Sequence, residues 1–254
     1  MKFCRVLLVP FLFTFSYQAQ AAINPGSDPD QGGELILSVW DDATHSSYTL
    51  DLGITTRDFC EMRTYVWDLS MDQLWMDFKT GAESMRWDVA GSDRDTTNIQ
   101  GSSLNGFMTT ARIGEDISVT ALQYGVYNTM QNNIEQYVNI LNLNDEDYAT
   151  NHNHFFAGEI YAGNTSVWGS FAGNVNFASA EYGDELEFWH LTTAVEIDNN
   201  TGRLYRSAEH TKMNTWILRD NKLIYATAIP VPAAVWLFGS ALAGLVGVAR
   251  RKRS

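Results

Sequence analysis

The chain has 254 residues, which fits one ordinary domain or two small ones and excludes a large multidomain assembly. Hydrophobic residues make up 45% of the chain and aromatic residues 13%, a composition too apolar for a disordered protein. The formal net charge is −13. All 30 acidic residues lie within 22–229, whereas six of the 17 basic residues lie near the two ends. This acidic body would repel nucleic acid and anionic lipid, so we expect neither as its partner.

Residues 1–21 are typical of a secretory signal peptide. Lys2 and Arg5 form a charged start, and residues 6–15 form an apolar stretch that is too short to span a bilayer. We therefore expect the chain to enter the Sec translocon and to be exported.

Cleavage of this peptide is predicted at Ala19-Gln20-Ala21, which has the small-x-small pattern that signal peptidase requires. The mature chain should then begin near Ala22. Cys4 would be lost with the peptide, which leaves Cys60 as the one cysteine of the mature chain. We expect Cys60 to be a buried thiol, because a free cysteine packs like a small apolar residue, and a disulfide between two chains is the alternative.

The C-terminal segment 229–254 has the composition of a membrane anchor. Its residues 231–249 carry no charge, and a helix of that length extends about 28 Å, close to the thickness of the hydrocarbon layer. A basic cluster follows directly and should stay on the cytoplasmic side, which places the body outside the cell. The cluster consists of Arg250, Arg251, Lys252 and Arg253.

The short motif before this helix, together with the helix and the basic end, resembles a PEP-CTERM sorting signal of the VPLPA type. The motif consists of Pro230, Val231, Pro232, Ala233 and Ala234. The resemblance implies recognition by an exosortase, a membrane-embedded transpeptidase, in a Gram-negative bacterium that makes exopolysaccharide. Val231 stands where the Pro-Glu-Pro core has glutamate, so the position of cleavage stays open.

Three segments of the body resemble strands of exported proteins that carry this tail, namely 33–41, 47–53 and 184–191. Those proteins are largely uncharacterised, so this resemblance implies membership of the class and no activity.

The body, residues 34–228, is predicted to be mainly β, an antiparallel β-sandwich or jelly roll that follows a flexible lead-in at 22–33. Apolar and polar residues alternate in short runs separated by turn residues, as in half-buried antiparallel strands. Asp220-Asn221 is typical of a hairpin turn. The expected strands are 35–39, 48–52, 62–69, 117–122, 155–161, 166–171, 186–195, 203–207 and 216–225 with this turn inside the last of them.

One amphipathic helix is predicted over residues 128–142, with Asn128 as its cap. Its apolar residues recur at helical spacing and should face the sheet; they are Met130, Ile134, Tyr137, Val138 and Leu141. A weaker helical pattern lies at 69–79, where strand is the alternative.

His152-Asn153-His154, followed by Glu159, is the best candidate for a metal site. The spacing resembles the first cupin motif, but its preceding glycine is absent and the second motif is not found. A third ligand would have to come from His190 or His210. The Asn-rich surroundings favour an exposed histidine pair in a polar loop, so we expect no bound metal.

Calcium is a weaker candidate, because three loops contain clusters of carboxylate and amide oxygens. They are 93–97, 142–147 and 198–202. Only the last approaches the calcium-loop pattern, and Arg206 would oppose a cation there. We expect ordinary turns and no cofactor.

No nucleophile, phosphate-binding or metalloprotease motif is found in the sequence. The first hypothesis is therefore a non-enzymatic cell-surface or extracellular-matrix protein, sorted by an exosortase-type enzyme and associated with exopolysaccharide. The alternative is a glycan-binding module of the same matrix, since eight Trp and eleven Tyr residues could stack on sugar rings. A divalent-metal enzyme centred on His152 and His154 is the third.

Overall fold

The computed structural model describes the backbone of residues 23–26, 32–93, 95–99, 102–104, 106–115, 117, 124–143, 153–157, 162, 178–197 and 204–226. The predicted signal peptide and the predicted sorting segment lie outside these ranges. Within them, no helix combines the length and the apolar character that crossing a membrane requires.

The described residues form twelve strands and two helices. In chain order these are β1 (Glu34–Asp41), β2 (Ser46–Thr55), β3 (Tyr65–Asp68), α1 (Gln73–Gly81), β4 (Arg86–Ser92), β5 (Asp95–Ile99), β6 (Ser102–Leu104), β7 (Gly106–Arg112), α2 (Tyr124–Leu143), β8 (Asn153–Ala157), β9 (Ala180–Glu181), β10 (Glu185–Ile197), β11 (Leu204–Arg219) and β12 (Lys222–Ala226).

The prediction of a mainly antiparallel β-protein is confirmed. Nine strands form one path in the order β3-β12-β11-β10-β7-β4-β1-β2-β8, with β9 beside β4, and β5 pairs separately with β6. This sheet curls into a nearly closed, barrel-like form. The arrangement differs from the expected sandwich or jelly roll, because one sheet with cover on both faces replaces two sheets packed face to face.

Strand β1 shows why both faces are covered. Leu35, Leu37 and Val39 point into one hydrophobic cluster, and Ile36 and Trp40 point into another. Successive side chains of a strand point to opposite faces, so the two clusters lie on the two sides of the sheet. In a sandwich of two sheets, only one of these two sets of β1 side chains would be covered by other parts of the protein.

The cluster on the concave side, here called the inner core, receives side chains from strands along nearly the whole sheet. Trp75 and Phe78 of α1 insert into it and are fully buried. Asp72 caps α1 by accepting a hydrogen bond from the Trp75 amide at 3.1 Å. The weak helical pattern predicted at 69–79 corresponds to α1, which begins only at Gln73, and the strand alternative is wrong for Trp75, Met76 and Phe78.

The cluster on the convex side, here called the outer core, is covered by α2. The five residues predicted to face the sheet are all buried there. The helix begins at Tyr124, before the predicted cap Asn128. Gly125 has low helix propensity and lies before the apolar repeat, so the sequence pattern did not reveal this first turn.

The predicted hairpin at Asp220-Asn221 is confirmed. Both residues have positive φ, 51° and 58°, as a two-residue turn of type I′ requires. Leu218 pairs with Leu223 across the turn. The predicted strand 203–207 is the beginning of β11, which continues without interruption to Arg219.

Other predicted strands have different outcomes. Ile117 is buried in the outer core and belongs to no strand, and residues 118–123 and 166–171 lie outside the described ranges. Strands β4 and β7 were not predicted, because Asp88 and Thr109–Thr110 interrupt their apolar pattern.

Cys60 is buried, with 7% of its surface exposed. The structure records it as disulfide-bonded, which differs from the expected free thiol. The other cysteine of the sequence, Cys4, lies outside the described ranges.

Candidate functional site

Polar side chains form a row across three neighbouring strands beneath α2. Ser38 of β1 is the register partner of Thr49 on β2 and of Asp88 on β4, so the three residues lie side by side on the convex face. All three are buried. Tyr137 of α2 covers the row, and its hydroxyl lies 2.7 Å from Thr49 Oγ1.

Asp88 is the chemically unusual member of this polar row. Its Oδ1 is buried and has no hydrogen-bond partner among the residues that the structure describes. Burial raises the pKa of Asp88 to about 8, and the positive charge of Arg86 only partly opposes this effect. The carboxyl is therefore largely protonated at neutral pH. Burial also raises the pKa of Tyr137, so its hydroxyl stays neutral.

A second polar group joins Asp93, which follows β4, to His190 of β10. His190 Nε2 lies 2.7 Å from Asp93 Oδ2. Arg57 Nε lies 3.9 Å from Asp93 Oδ1, and the Thr56 hydroxyl donates to the same oxygen at 3.3 Å. Burial opposes the ionisation of Asp93, but the hydrogen bond and charge of His190, with Arg57 and Thr56, outweigh it and hold the pKa of this carboxyl below its usual value.

In several kinds of catalytic site, an aspartate orients a histidine, and the histidine activates a nucleophile that lies beside it. The nearest serine in sequence, Ser92, donates to Glu135 of α2 at 3.0 Å instead. The contacts of Asp93 and His190 therefore join three elements, β4, β10 and the loop after β2. Their geometry suits a structural link between these elements.

A third group lies where the lead-in meets β1. Burial and the neighbouring charge of Asp51 raise the pKa of Glu34 to about 7, against the lowering effect of its hydrogen bond from the Asn24 amide. Asp51 is itself buried and accepts a hydrogen bond from the Gly53 amide at 2.8 Å.

The histidines predicted as metal ligands are dispersed. His154 lies in β8 as the register partner of Thr49, whereas His190 lies in β10, and four strands separate these two in the sheet. His210 pairs with Leu191, the neighbour of His190, so His190 and His210 point to opposite faces. His152 and Glu159 lie outside the described ranges. The residues that the structure describes contain no group of three His, Cys, Asp or Glu placed to hold a metal ion.

Parts of two predicted calcium loops lie within the described structure. Asp95–Ile99 is strand β5 and so is not a loop, which corrects the expectation for 93–97. Asn142 lies in α2, where its side chain binds the backbone of Ile23. Residues 144–147 and 198–202 lie outside the described ranges.

Acidic residues line a surface cleft of about 470 Å³ between the ends of β7 and β10. Arg112 Nε at this cleft donates to the Ser179 carbonyl at 3.0 Å, which fixes the one cationic side chain of the lining. The lining residues are Arg112, Ile113, Ala180, Glu181, Asp184 and Glu185.

Tryptophan and tyrosine side chains are concentrated in the inner core. Trp75, Trp87, Trp216, Tyr48 and Tyr225 are all fully buried. At the edge strand β3, Tyr65 and Trp67 are only half-buried, and their rings stack with centroids 5.8 Å apart and planes inclined by 23°.

The residues predicted to carry sorting lie outside the described ranges. This applies to the motif 230–234, the basic cluster 250–253 and the signal-peptide positions Ala19 and Ala21. The polar row around Asp88 was missed by sequence analysis, whereas Asp93 and His190 were named there only as separate candidate ligands and not as a pair. The one available signal for the polar row around Asp88 was a single aspartate within the apolar run Trp87-Asp88-Val89-Ala90.

Comparison with known proteins adds no relative: no family model, no curated protein and no solved structure matches this chain.

Proposed function

We propose that this chain is a non-enzymatic, exported cell-surface or extracellular-matrix protein that an exosortase-type enzyme sorts and that associates with exopolysaccharide. The observation that carries the proposal is the order of features in 229–254: a short Pro-Val-Pro motif, an uncharged stretch long enough to span a bilayer, and four basic residues. The signal peptide predicted at 1–21 supplies the route out of the cytoplasm.

The polar groups of the body are consistent with a structural role. Asp88 lies beneath α2 and is 3% exposed, and Asp93 and His190 bind each other. A general acid or base must reach the proton that it transfers, and Asp88 cannot do so while α2 is in place. The strongly acidic composition would keep such a body soluble outside the cell.

Cell fractionation tests the sorting step. Pro230→Ala with Pro232→Ala should leave the protein in the membrane fraction, because the motif that the transpeptidase recognises is lost. Replacing the basic cluster by glutamine should lower the amount delivered to the surface. Ser254→Ala, which leaves motif, apolar stretch and basic cluster intact, is the control. Equal surface delivery of all variants would contradict the proposal.

A glycan-binding module of the same matrix is the second candidate. The stacked rings of Tyr65 and Trp67 at the edge strand β3 favour it, because both remain partly exposed where they pack against the inner core, and sugar rings stack on aromatic faces. Titration with the exopolysaccharide of the producing cells should quench tryptophan fluorescence, and Trp67→Ala should abolish the quenching. Met62→Ala, a change at an exposed position of the preceding loop, is the control. Quenching that persists in Trp67→Ala would exclude this site.

A further inference from the structure

Two buried side chains of the polar row beneath α2 each have an oxygen atom without a hydrogen-bond partner among the residues that the structure describes. These atoms are Ser38 Oγ on β1 and Asp88 Oδ1 on β4. Ser38 is fully buried, and Asp88 is 3% exposed. A polar oxygen that loses its bonds to bulk water costs free energy unless another group replaces them, so native proteins rarely bury such atoms unpaired. Two in one place indicate a shared partner.

The two oxygens belong to neighbouring side chains on the same face of the sheet. Ser38 and Asp88 are register partners on paired antiparallel strands, which places their Cα atoms about 4.5–5.5 Å apart. The residues next to them in sequence, Leu37 and Val89, point into the inner core, so Ser38 and Asp88 both point to the convex face. Side chains of such a pair extend side by side, and one small molecule can therefore contact both.

The hydroxyl of Tyr137 approaches the same place from α2. It lies 2.7 Å from Thr49 Oγ1, whereas Ser38 Oγ makes no hydrogen bond with it. Burial is the main cause of the raised pKa of Tyr137, but the Asp88 charge raises this pKa further and the Thr49 and Ser38 hydroxyls lower it. Groups act on a pKa in this way from a few ångströms away. The oxygens of Ser38, Asp88 and Tyr137 therefore converge between β1, β4 and α2.

The chemistry of these groups suits a water molecule. Water both donates and accepts hydrogen bonds, so a single molecule can accept from the Ser38 hydroxyl and donate to Asp88 Oδ1. Buried waters typically make about three hydrogen bonds, and the Tyr137 hydroxyl is the third group close to this point. A cation would require an ionised Asp88, whereas burial favours the neutral form of that carboxyl.

We propose that Ser38, Asp88 and Tyr137 bind one internal water molecule, which joins β1 and β4 to α2. The water supplies the hydrogen bonds that the two buried oxygens need, and it makes the polar row a hydrogen-bonded part of the contact between helix and sheet. This inference concerns the folded body and is independent of the proposed export and sorting.

A high-resolution crystal structure of the full chain in detergent tests the site directly. We expect one electron-density peak within about 2.7–3.2 Å of both Ser38 Oγ and Asp88 Oδ1. Soaking the crystals in rubidium chloride distinguishes a cation from water, because rubidium scatters anomalously. A direct hydrogen bond from Ser38 to Asp88 or to Tyr137, with no peak between them, would overturn the proposal. An anomalous signal from rubidium at this position would overturn it too.

The sign of a stability change tests the same proposal in solution. Ser38→Ala removes one partner of the water and should lower the folded-to-unfolded ratio about fivefold in denaturant unfolding. Ser47→Ala is the matched control, because it removes a buried hydroxyl that accepts a hydrogen bond from the Ala162 amide at 2.8 Å. It should lower the ratio by a similar factor.

A buried hydroxyl without any partner would behave differently. Such a group destabilises the folded state, so its removal leaves the folded-to-unfolded ratio unchanged or raises it. An unchanged or raised ratio for Ser38→Ala, measured beside a lowered ratio for Ser47→Ala, would overturn the proposal.

Discussion

The hydroxyl of Tyr137 lies 2.7 Å from Oγ1 of Thr49, and this buried hydrogen bond links α2 to β2 across 88 residues of sequence. Tyr137 packs with the apolar side chains of the outer core and covers the buried polar row, so the bond fixes which turn of α2 lies over which strand. Apolar contacts alone would tolerate small shifts of the helix, whereas a hydrogen bond in a dry interior does not.

Tyr137→Phe should therefore destabilise the protein by about 1–2 kcal/mol, because it leaves the buried Thr49 hydroxyl without this partner. Thr49→Val should cost a similar amount. The double variant should cost less than the sum of the two, since removing both partners leaves no unsatisfied group. Denaturant unfolding of the four proteins measures this coupling. Strictly additive effects would show that the bond contributes nothing.

Asp88→Asn should change the pH dependence of stability. The pKa of Asp88 is about 8 in the folded protein and near 3.8 when unfolded, so the folded state binds more protons between these values. The stability that the protonated carboxyl contributes is complete below pH 3.8 and is lost as the pH rises through 8. Asparagine stays neutral, so the stability of the variant relative to the wild type should increase as the pH rises from 5 to 9. Urea unfolding across that range measures the difference in stability between the variant and the wild type. A difference that does not change with pH would contradict the raised pKa of Asp88.

Glu34→Gln should change the pH dependence of stability in the same direction as Asp88→Asn, but over a lower pH range. The pKa of Glu34 is about 7 in the folded protein against 4.5 unfolded, so its stabilising, protonated form is lost as the pH rises through 7. The variant should resemble the wild type at pH 4 and exceed its stability at pH 8. The gain should be smaller than for Asp88→Asn, because Glu34 is only half-buried. Thermal unfolding at the two pH values is sufficient, and no relative gain at pH 8 would refute the prediction.

Asp93→Asn should change the pH dependence of stability in the opposite direction. The pKa of Asp93 is held below its usual value, so its ionised form contributes stability above pH 3.8 that is lost as the pH falls through its folded pKa. The variant should be less stable than the wild type at pH 7, and the difference should shrink in acid. Asp184→Asn, at an exposed carboxylate, is the control. A constant difference from pH 7 to pH 3 would exclude a role for the Asp93 charge.

Periodicity in the sequence was sufficient for the elements whose environment is uniform. The helical repeat through Ile134, Tyr137 and Leu141 identified the buried face of α2, and Asp220-Asn221 identified the β11–β12 turn. Periodicity did not predict the arrangement of the sheet as a whole. Strands β1 and β4 are covered on both faces, and alternation of apolar residues cannot distinguish one covered sheet from two packed sheets.

The polar groups could not be found from the sequence because each depends on pairing between distant strands. Asp88 lies beside Ser38 only because β4 pairs with β1, and Asp93 meets His190 across 97 residues. The same applies to Ile23, whose two backbone contacts with Asn142 have no counterpart in composition or spacing. Proline and glycine around Ile23 indicated a loop, which the predicted flexible lead-in reflected.

The intact mass of the protein recovered from the cell surface tests the central proposal most directly. Export and exosortase-type sorting predict a chain that begins at Ala22 and lacks the residues that follow the motif at 230–234. A surface product that still carries the segment from Trp236 to Arg253 would contradict the proposal.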